Sequence, residues 1–189
     1  YIWLSQHLIL NPIFHSQYQS MMEISNKVKQ TLSICETISD TIIHKLNHTS
    51  MFILGKGMME AVALETALKI KELAYIHAEG YNGSSLKHGP FALLTNNYPV
   101  ILLIDKRNRD KMYNVYQEVR ARDAYVLIIT ELTDLIINDL NTDCIQLPVN
   151  HYQEIIFIVA LQYIAYKLAL LNNDNPDKPK NLAKVVTVE

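Results

Sequence analysis

Cysteine is scarce: Cys35 and Cys144 are the two thiols in 189 residues, far apart and without a CxxC spacing. That spacing excludes a structural zinc site and leaves two reduced, mostly buried thiols as the plain expectation. No metal and no cofactor is expected from the chain. Charge of one sign is not in excess either. Seventeen basic residues face 19 acidic ones, for a formal net charge of -2. Neither nucleic acid nor an anionic membrane would find a basic footprint to bind. No basic flank ahead of an apolar run opens the chain, so a signal peptide is not expected. The longest apolar stretch, Ile155–Leu171, is broken by Gln162 and Lys167. It falls short of the roughly 20 apolar residues a bilayer span needs, so a buried helix is expected there. Two Asn-x-Ser/Thr triplets, at 47–49 and 82–84, stand without any other mark of secretion. The expected location is the cytoplasm. Tyr1 stands where an initiator methionine would, which suggests a piece of a longer chain or a processed product.

What is present reads as one globular domain with a real core. Apolar residues are 49% of the chain and charged residues 19%, which separates it from disordered sequences. Residues 1–15 form an apolar lead-in with Trp3, Pro12 and Phe14. Over 16–46, apolar residues recur three or four apart at Met22, Ile24, Val28, Leu32, Cys35, Ile38 and Ile42, as an amphipathic helix requires. MFIL at 51–54 is a short buried strand, ended by Gly55 and Gly57. A helix is expected from Met59 to Ile76, then a glycine-broken loop over 80–90. VILLI at 100–104, YVLIIT at 125–130 and CIQLP at 144–148 are the further strands, with a helix over 108–121 between the first two. A last helix covers 152–171 and stops at Asn172–Asp177, with Pro176 and Pro179 at and just beyond that stop.

Strands alternating with helices predict an α/β fold, with a mainly parallel sheet between two helical layers. The right-handed crossover rule makes a flavodoxin-like αβα arrangement the economical topology. Ligands in such sheets sit beyond the carboxyl ends of the strands, here the loops after MFIL, VILLI and YVLIIT.

Three segments bear chemistry. Glu65, Lys69 and Glu72 follow i, i+4, i+7 spacing and share one helix face, with Ala63, Leu64, Ala67, Leu68 and Ile70 expected opposite. Alone, that row reads as a solvated ion-pair stripe, about 0.3–0.5 kcal/mol per pair. The polar loop after it holds Lys87 and His88 ahead of a helix start at Gly89–Pro90. Histidine as a residue type titrates near neutral pH and can move protons, which makes His88 a candidate, though a loop histidine alone is commonly without a role. The tail, 179–189, returns to apolar character with Leu182, Val185, Val186 and Val188. If it docks, Lys184 is held in place, and a lysine in a dry pocket can lose its proton and attack a carbonyl. If it frays, Lys184 is a surface lysine.

Together these segments match one family in order and spacing. ALETALKIKELAYIHAEGYNGSSLKHGPFALL at 63–94 resembles the signature of the second sugar-isomerase (SIS) subdomain of the glutamine–fructose-6-phosphate aminotransferases. NLAKVVTVE at 181–189 resembles that family's C-terminus nearly letter for letter. VRARDAYVLIIT at 119–130 and LQYIAYKLALLNNDNPDKPKNLAK at 161–184 align in character, so the resemblance covers about 20–189.

The resemblance implies an SIS domain. It divides the chain into a lead-in and long helix over 1–47, the SIS subdomain over 48–172, and a catalytic tail over 173–189. The family makes glucosamine 6-phosphate from fructose 6-phosphate and glutamine-derived ammonia, toward UDP-GlcNAc. Its partners would be the sugar phosphate, a first SIS subdomain and a glutaminase domain in the parent chain, and a second copy as a homodimer, with no nucleic acid and no membrane. On this resemblance Glu72 is the base that moves a proton between C1 and C2 of the sugar, and Lys69 assists it. His88 serves ring opening in the neighbouring subunit's site, and Lys184 forms a Schiff base with the open-chain ketose. Glu65 and Ala183 line the sugar pocket. The sequence departs from the family loop AEAYAAGELKHG: it reads AEGYNGSSLKHG, with Ser85 in place of a glutamate. A phosphate-gripping run like S-Q-S-G-E-T and an N-terminal glutaminase cysteine are both missing from residues 1–189. The fragment alone is therefore expected to bind substrate poorly. The alternatives are a phosphosugar-sensing module, against which the four catalytic candidates argue, and an assembly half whose catalysis has decayed. A response-regulator receiver is disfavoured, because Gly55-Lys56-Gly57 follows the first strand in place of an acidic cluster.

Overall fold

The computed structural model describes residues 12–135 and 137–181, with side chains from Ser16 on. Five strands form one sheet: β1 (Ser50–Gly55), β2 (His77–Asn82), β3 (Pro99–Ile104), β4 (Tyr125–Thr130) and β5 (Thr142–Gln146). They lie in the order β2-β1-β3-β4-β5, and every pairing is parallel. This is the flavodoxin-like order expected for an α/β SIS domain. Every residue of the central strands β3 and β4 is buried, as continuous apolar runs covered on both faces demand.

The helices are α1 (Pro12–Glu36), α2 (Asp40–Leu46), α3 (Met58–Ala74), α4 (Arg109–Arg120) and α5 (Gln153–Leu171). On one sheet face, Met51, Ile53, Ile101, Leu103, Leu127 and Ile129 pack with α1, α2, α3 and α5. On the other, Phe52, Leu54, Val100, Leu102, Val126 and Ile128 pack with α4 and with Leu86 and Leu94 from the segment after β2. Strand alternation sends successive residues to opposite layers.

The single amphipathic helix expected over 16–46 is two helices. The chain breaks at 37–39, where the Ser39 hydroxyl accepts a hydrogen bond from the Ile42 backbone N–H and Asp40 opens α2. A serine cap followed by an acidic first turn starts a new helix, and the apolar spacing alone hides it. The expected loop from 80 begins as strand: β2 takes in Gly80, Tyr81 and Asn82, and two short 3-10 turns follow, Gly83–His88 and Pro90–Leu93. Strand β5 begins at Thr142, two residues before the expected CIQLP, and leaves Leu147 and Pro148 outside.

Helix α5 is long and apolar enough by composition to cross a bilayer. It packs here as a core helix, with Ile156, Phe157, Ala160, Leu161, Ile164, Ala165 and Leu168 buried against the sheet and its neighbours.

Helix α3 is seated unusually close to the sheet. A Cβ on Gly55 would lie 2.0 Å from the Met59 carbonyl oxygen, and one on Gly80 would lie 2.7 Å from the Ala63 carbonyl oxygen. Backbone cannot yield as a flexible side chain can. Gly80→Ala is expected to lower unfolding free energy by about 1–3 kcal/mol in urea denaturation, the usual range for overpacking. Lys71→Ala, on the exposed side of the same helix, is expected to stay within about 0.5 kcal/mol.

Candidate functional site

Helix α3 is flanked by Gly57, which has φ 62, before its start and by Tyr75, in the left-handed region with φ 55, after its end. Its inner face buries Met59, Val62, Ala63, Thr66, Ala67 and Ile70. Its outer face carries the charged row. The Lys69 ammonium donates to Glu72 Oε2 at 2.6 Å and lies 3.8 Å from Glu65 Oε1. The hydrogen bond to Glu72 holds Lys69 above the ordinary lysine value, aided by the charges of Glu72 and Glu65 and opposed by partial burial. The side chains keep 41% (Glu65), 30% (Lys69) and 26% (Glu72) of their exposure. The row is therefore half-sheltered, open on the side away from the sheet.

Leu64 and Leu68 do not sit opposite this row as expected. They are 55% and 42% exposed, while Ala63, Ala67 and Ile70 take the buried side. At 100° per residue both leucines fall beside Glu72, on the outward arc. The covered side of α3 is taken by Met59, Val62, Ala63, Thr66, Ala67 and Ile70, which leaves both leucines on the uncovered arc.

His88 lies elsewhere. It ends the 3-10 turn Gly83–His88 and is exposed. Leu86 plugs into the core layer shared with α4, and Lys87 pairs with Glu118 of that helix at 2.7 Å. These contacts hold the segment on the sheet face opposite α3, with His88 pointing outward. Pro90 starts the next 3-10 turn, where a helix start was expected. Lys184 and Ala183 lie outside the described residues. Of the named candidates, the structure brings Glu65, Lys69 and Glu72 together and keeps His88 apart.

Two features lie apart from the named candidates: the first had no reading from the sequence, and the second sits on the edge where ligands were expected. His77, Glu79 and Tyr81 alternate along β2 on the face away from α3. The Tyr81 hydroxyl donates to Glu79 at 2.7 Å, and His77 Nε2 lies 3.3 Å from the other carboxylate oxygen. The Tyr81 hydrogen bond is the main cause holding Glu79 below the usual carboxylate range. Period-2 spacing was the available signal, hidden because the segment contains glycine and little apolar character. The second feature is a crevice of about 430 Å³ beyond the carboxyl ends of β3 and β4, walled by the start of α5. Asp105, Lys106, Arg107, Glu131, His151 and Glu154 line it. Glu131 Oε1 accepts the Lys106 backbone N–H at 2.8 Å, and burial pushes the Glu131 carboxyl upward. Arg107 is tied to Glu154 at 3.2 Å. Charges of both signs meet here, so the crevice has no net attraction for an anion. Among the described residues, no group of three or more His, Cys, Asp or Glu could hold a metal ion.

The SIS domain model matches residues 45–172. A probable glutamine–fructose-6-phosphate aminotransferase of Acanthamoeba polyphaga mimivirus is 49% identical over 150 residues, covering 76% of this chain and 24% of that protein. A probable enzyme of the same name from Schizosaccharomyces pombe is 39% identical over 171 residues, covering 89% and 25%. This chain thus spans about a quarter of the length of these curated relatives. Among solved structures, the C-terminal domain of glucosamine-fructose-6-phosphate aminotransferase from Francisella tularensis superposes with a TM-score of 0.83 at 28% identity. The match covers 89% of this chain and 49% of that one.

The Lys69 ion pair has a defined pH window. A lysine whose folded value is raised above 10.5 stabilises the fold fully below 10.5 and loses that contribution as pH rises through the folded value. The stability gap between the parent chain and Glu72→Gln is expected to be under about 1 kcal/mol for so exposed a pair. In urea denaturation it is expected to stay constant from neutral pH upward and to narrow only above 10.5.

Proposed function

We propose that this chain, which belongs to the SIS domain family, is the second sugar-isomerase unit of a glutamine–fructose-6-phosphate aminotransferase. One observation carries the reading: Glu72, hydrogen-bonded to Lys69, and Glu65, 3.8 Å from the same ammonium, stand as a charged row on the outward face of α3, in the sequence context of that family. The described chain ends at Asn181 beside the C-terminal end of this helix, because the Lys180 backbone N–H donates to the Tyr75 hydroxyl. Three further residues of extended chain span about 10 Å. Glu72 lies three residues back along the helix from Tyr75, about 4.5 Å of axial rise. The link from Asn181 to position 184 is thus long enough to bridge that distance, which supports assigning Lys184 to the row.

The chemistry assigned to these groups is Schiff-base formation on the ketose, followed by proton transfer on the imine that ammonia releases. The neutral Lys184 amine adds to the C2 carbonyl of open-chain fructose 6-phosphate, and water leaves. Ammonia then displaces the lysine from C2. Glu72 takes a proton from C1, and a proton returned to C2 leaves the aldehyde of glucosamine 6-phosphate at C1. A carboxylate suits that shuttle, and the adjacent Lys69 cation stabilises negative charge developing on the enolamine. Glu65 and Ala183 are assigned to the pocket wall. His88, on the opposite layer, is assigned to ring opening in a partner subunit of a homodimer. The setting is cytoplasmic amino-sugar synthesis toward UDP-GlcNAc. Phosphate binding and glutamine hydrolysis are assigned to other domains of the parent.

The test uses the parent enzyme with fructose 6-phosphate and borohydride. A reduced sugar adduct is expected on the peptide bearing Lys184 and is expected to vanish in Lys184→Arg. Glu72→Gln is expected to cut turnover about 10²–10⁴-fold while the adduct still forms. The 189-residue chain alone is expected to show no fructose/glucose 6-phosphate interconversion. Full turnover in the Glu72→Gln parent would make this a binding or assembly module instead.

A further inference from the structure

His88 stands at the least constrained point of its segment. It ends the turn Gly83–His88 and is exposed, and a second short turn, Pro90–Leu93, follows. Gly89, between the two turns, has φ 147 and nothing within 4 Å of where a Cβ would be. A glycine in that conformation restricts its neighbours little. Turns of the 3-10 type are held by hydrogen bonds of poorer geometry than those of an α-helix. The local backbone alone therefore does not fix the imidazole in one place.

Helix α4 supplies the missing constraint. Contacts at positions 83, 87 and 91, each four residues on from the last, tie the segment to it. A Cβ on Gly83 would lie 3.1 Å from the Met112 sulfur and 3.2 Å from Val115 Cγ2, so the first turn starts in close contact with α4. Lys87 pairs with Glu118 Oε1 at 2.7 Å. The Arg122 guanidinium lies over the Phe91 ring, 4.0 Å from its centroid. Arg122 is itself held, because it donates to the Glu118 backbone carbonyl at 2.6 Å, one of those that a helix end leaves without an intrahelical partner. Glu118 and Arg122 thus grip the segment at Lys87 and Phe91, with His88, Gly89 and Pro90 between the two grips. The second Glu118 oxygen, Oε2, is buried without a hydrogen-bond partner among the described residues. An apolar side chain would fill that space without leaving a polar atom unpaired. What explains a carboxylate here is the lysine on its other oxygen.

We infer that Glu118 and Arg122 are positioning residues for His88, clamping the segment on both sides of it so that the imidazole is held in one place. The clamp rests on the geometry, and its use rests on the proposed function, which assigns His88 to ring opening. Neither residue is assigned to touch the sugar: Glu118 acts through Lys87, and Arg122 through Phe91. Ring opening breaks the C2–O5 bond, takes the proton from the C2 hydroxyl and places one on O5, and the imidazole carries that transfer. A group offered to a second copy has to be in place before that copy meets it, and a displacement of about 1 Å is enough to cost most of its effect. Loss of the clamp is therefore felt in ring opening and not in the proton transfer at C1, which Glu72 performs elsewhere.

Two substrates given to the parent enzyme test it. Fructose 6-phosphate closes its ring through O5, whereas 5-deoxyfructose 6-phosphate lacks that oxygen, stays open-chain and needs no ring opening. Glu118→Gln and Arg122→Met are each expected to lower kcat/KM for fructose 6-phosphate about fivefold, read as amino sugar formed, and to leave the 5-deoxy substrate within about twofold. Arg122→Lys, which keeps a cation over the Phe91 ring, is expected to recover most of the loss. Amide hydrogen exchange over residues 83–94 is expected to quicken about fivefold in Glu118→Gln and in Arg122→Met, as loss of one contact would allow, with circular dichroism unchanged. Equal losses on both substrates would overturn the positioning role, and unchanged exchange would overturn the clamp. Undiminished fructose 6-phosphate turnover in His88→Ala would sink the ring-opening role and with it the use of the clamp, and the exchange rates would then judge the contacts by themselves.

Discussion

The pose of helix α3 rests on two missing side chains. Gly55 and Gly80 let the backbone at Met59 and at Ala63–Leu64 come within distances that no Cβ would tolerate. That contact fixes the helix against β1 and β2 at once, in depth and in rotation. Rotation is the consequence that matters for chemistry. It puts Val62, Ala63, Ala67 and Ile70 against the sheet and turns Glu65, Lys69 and Glu72 outward together. It also sets where Ala74 and Tyr75 end the helix, and so where Asn172 and Lys180 can fasten the returning chain. A half-ångström change in seating would move the charged row and that fastening point together, because one rigid helix carries both.

The parts of the fold read most easily from sequence were those with strong one-dimensional signals. VILLI and YVLIIT are buried on both faces, so their apolar runs are continuous and their assignment follows from composition. Strand β2 gave no such signal. Its residues His77, Glu79, Gly80 and Asn82 are those of a loop, and its place comes from backbone pairing with β1 and from one buried residue, Ala78. Edge strands are stabilised by a neighbour as much as by their own side chains, which sequence alone does not display. The break between α1 and α2 was legible in principle, since Ser39-Asp40 is a helix start. The apolar spacing ran through it and masked it.

The charged row was readable because helical spacing is a local property: 65, 69 and 72 share a face in any helix. Which face Leu64 and Leu68 share with it was not, since that depends on how wide a strip the sheet covers. The covered strip holds Met59, Val62, Ala63, Ala67 and Ile70, and both leucines stayed out. The contact of Lys180 with Tyr75 and Asp174 was beyond sequence reasoning altogether, because it joins residues 75, 174 and 180 across a returning chain.

The layering constrains how the candidate groups can meet. Glu72 lies on the outer side of a helix on one sheet face, and His88 lies on the other face, held there by Leu86 and by the Lys87–Glu118 pair. A helix is about 10 Å thick, so the two groups are separated by at least that layer and the sheet itself. Proton transfer needs heavy atoms within about 3 Å of the sugar atom concerned. Within one unit, no single hexose can therefore receive both the carboxylate and the imidazole. If both act on one substrate, the imidazole comes from a second copy. The outward exposure of His88, next to a glycine with φ 147 and nothing within 4 Å of where its Cβ would be, leaves that side of the molecule open to such an approach.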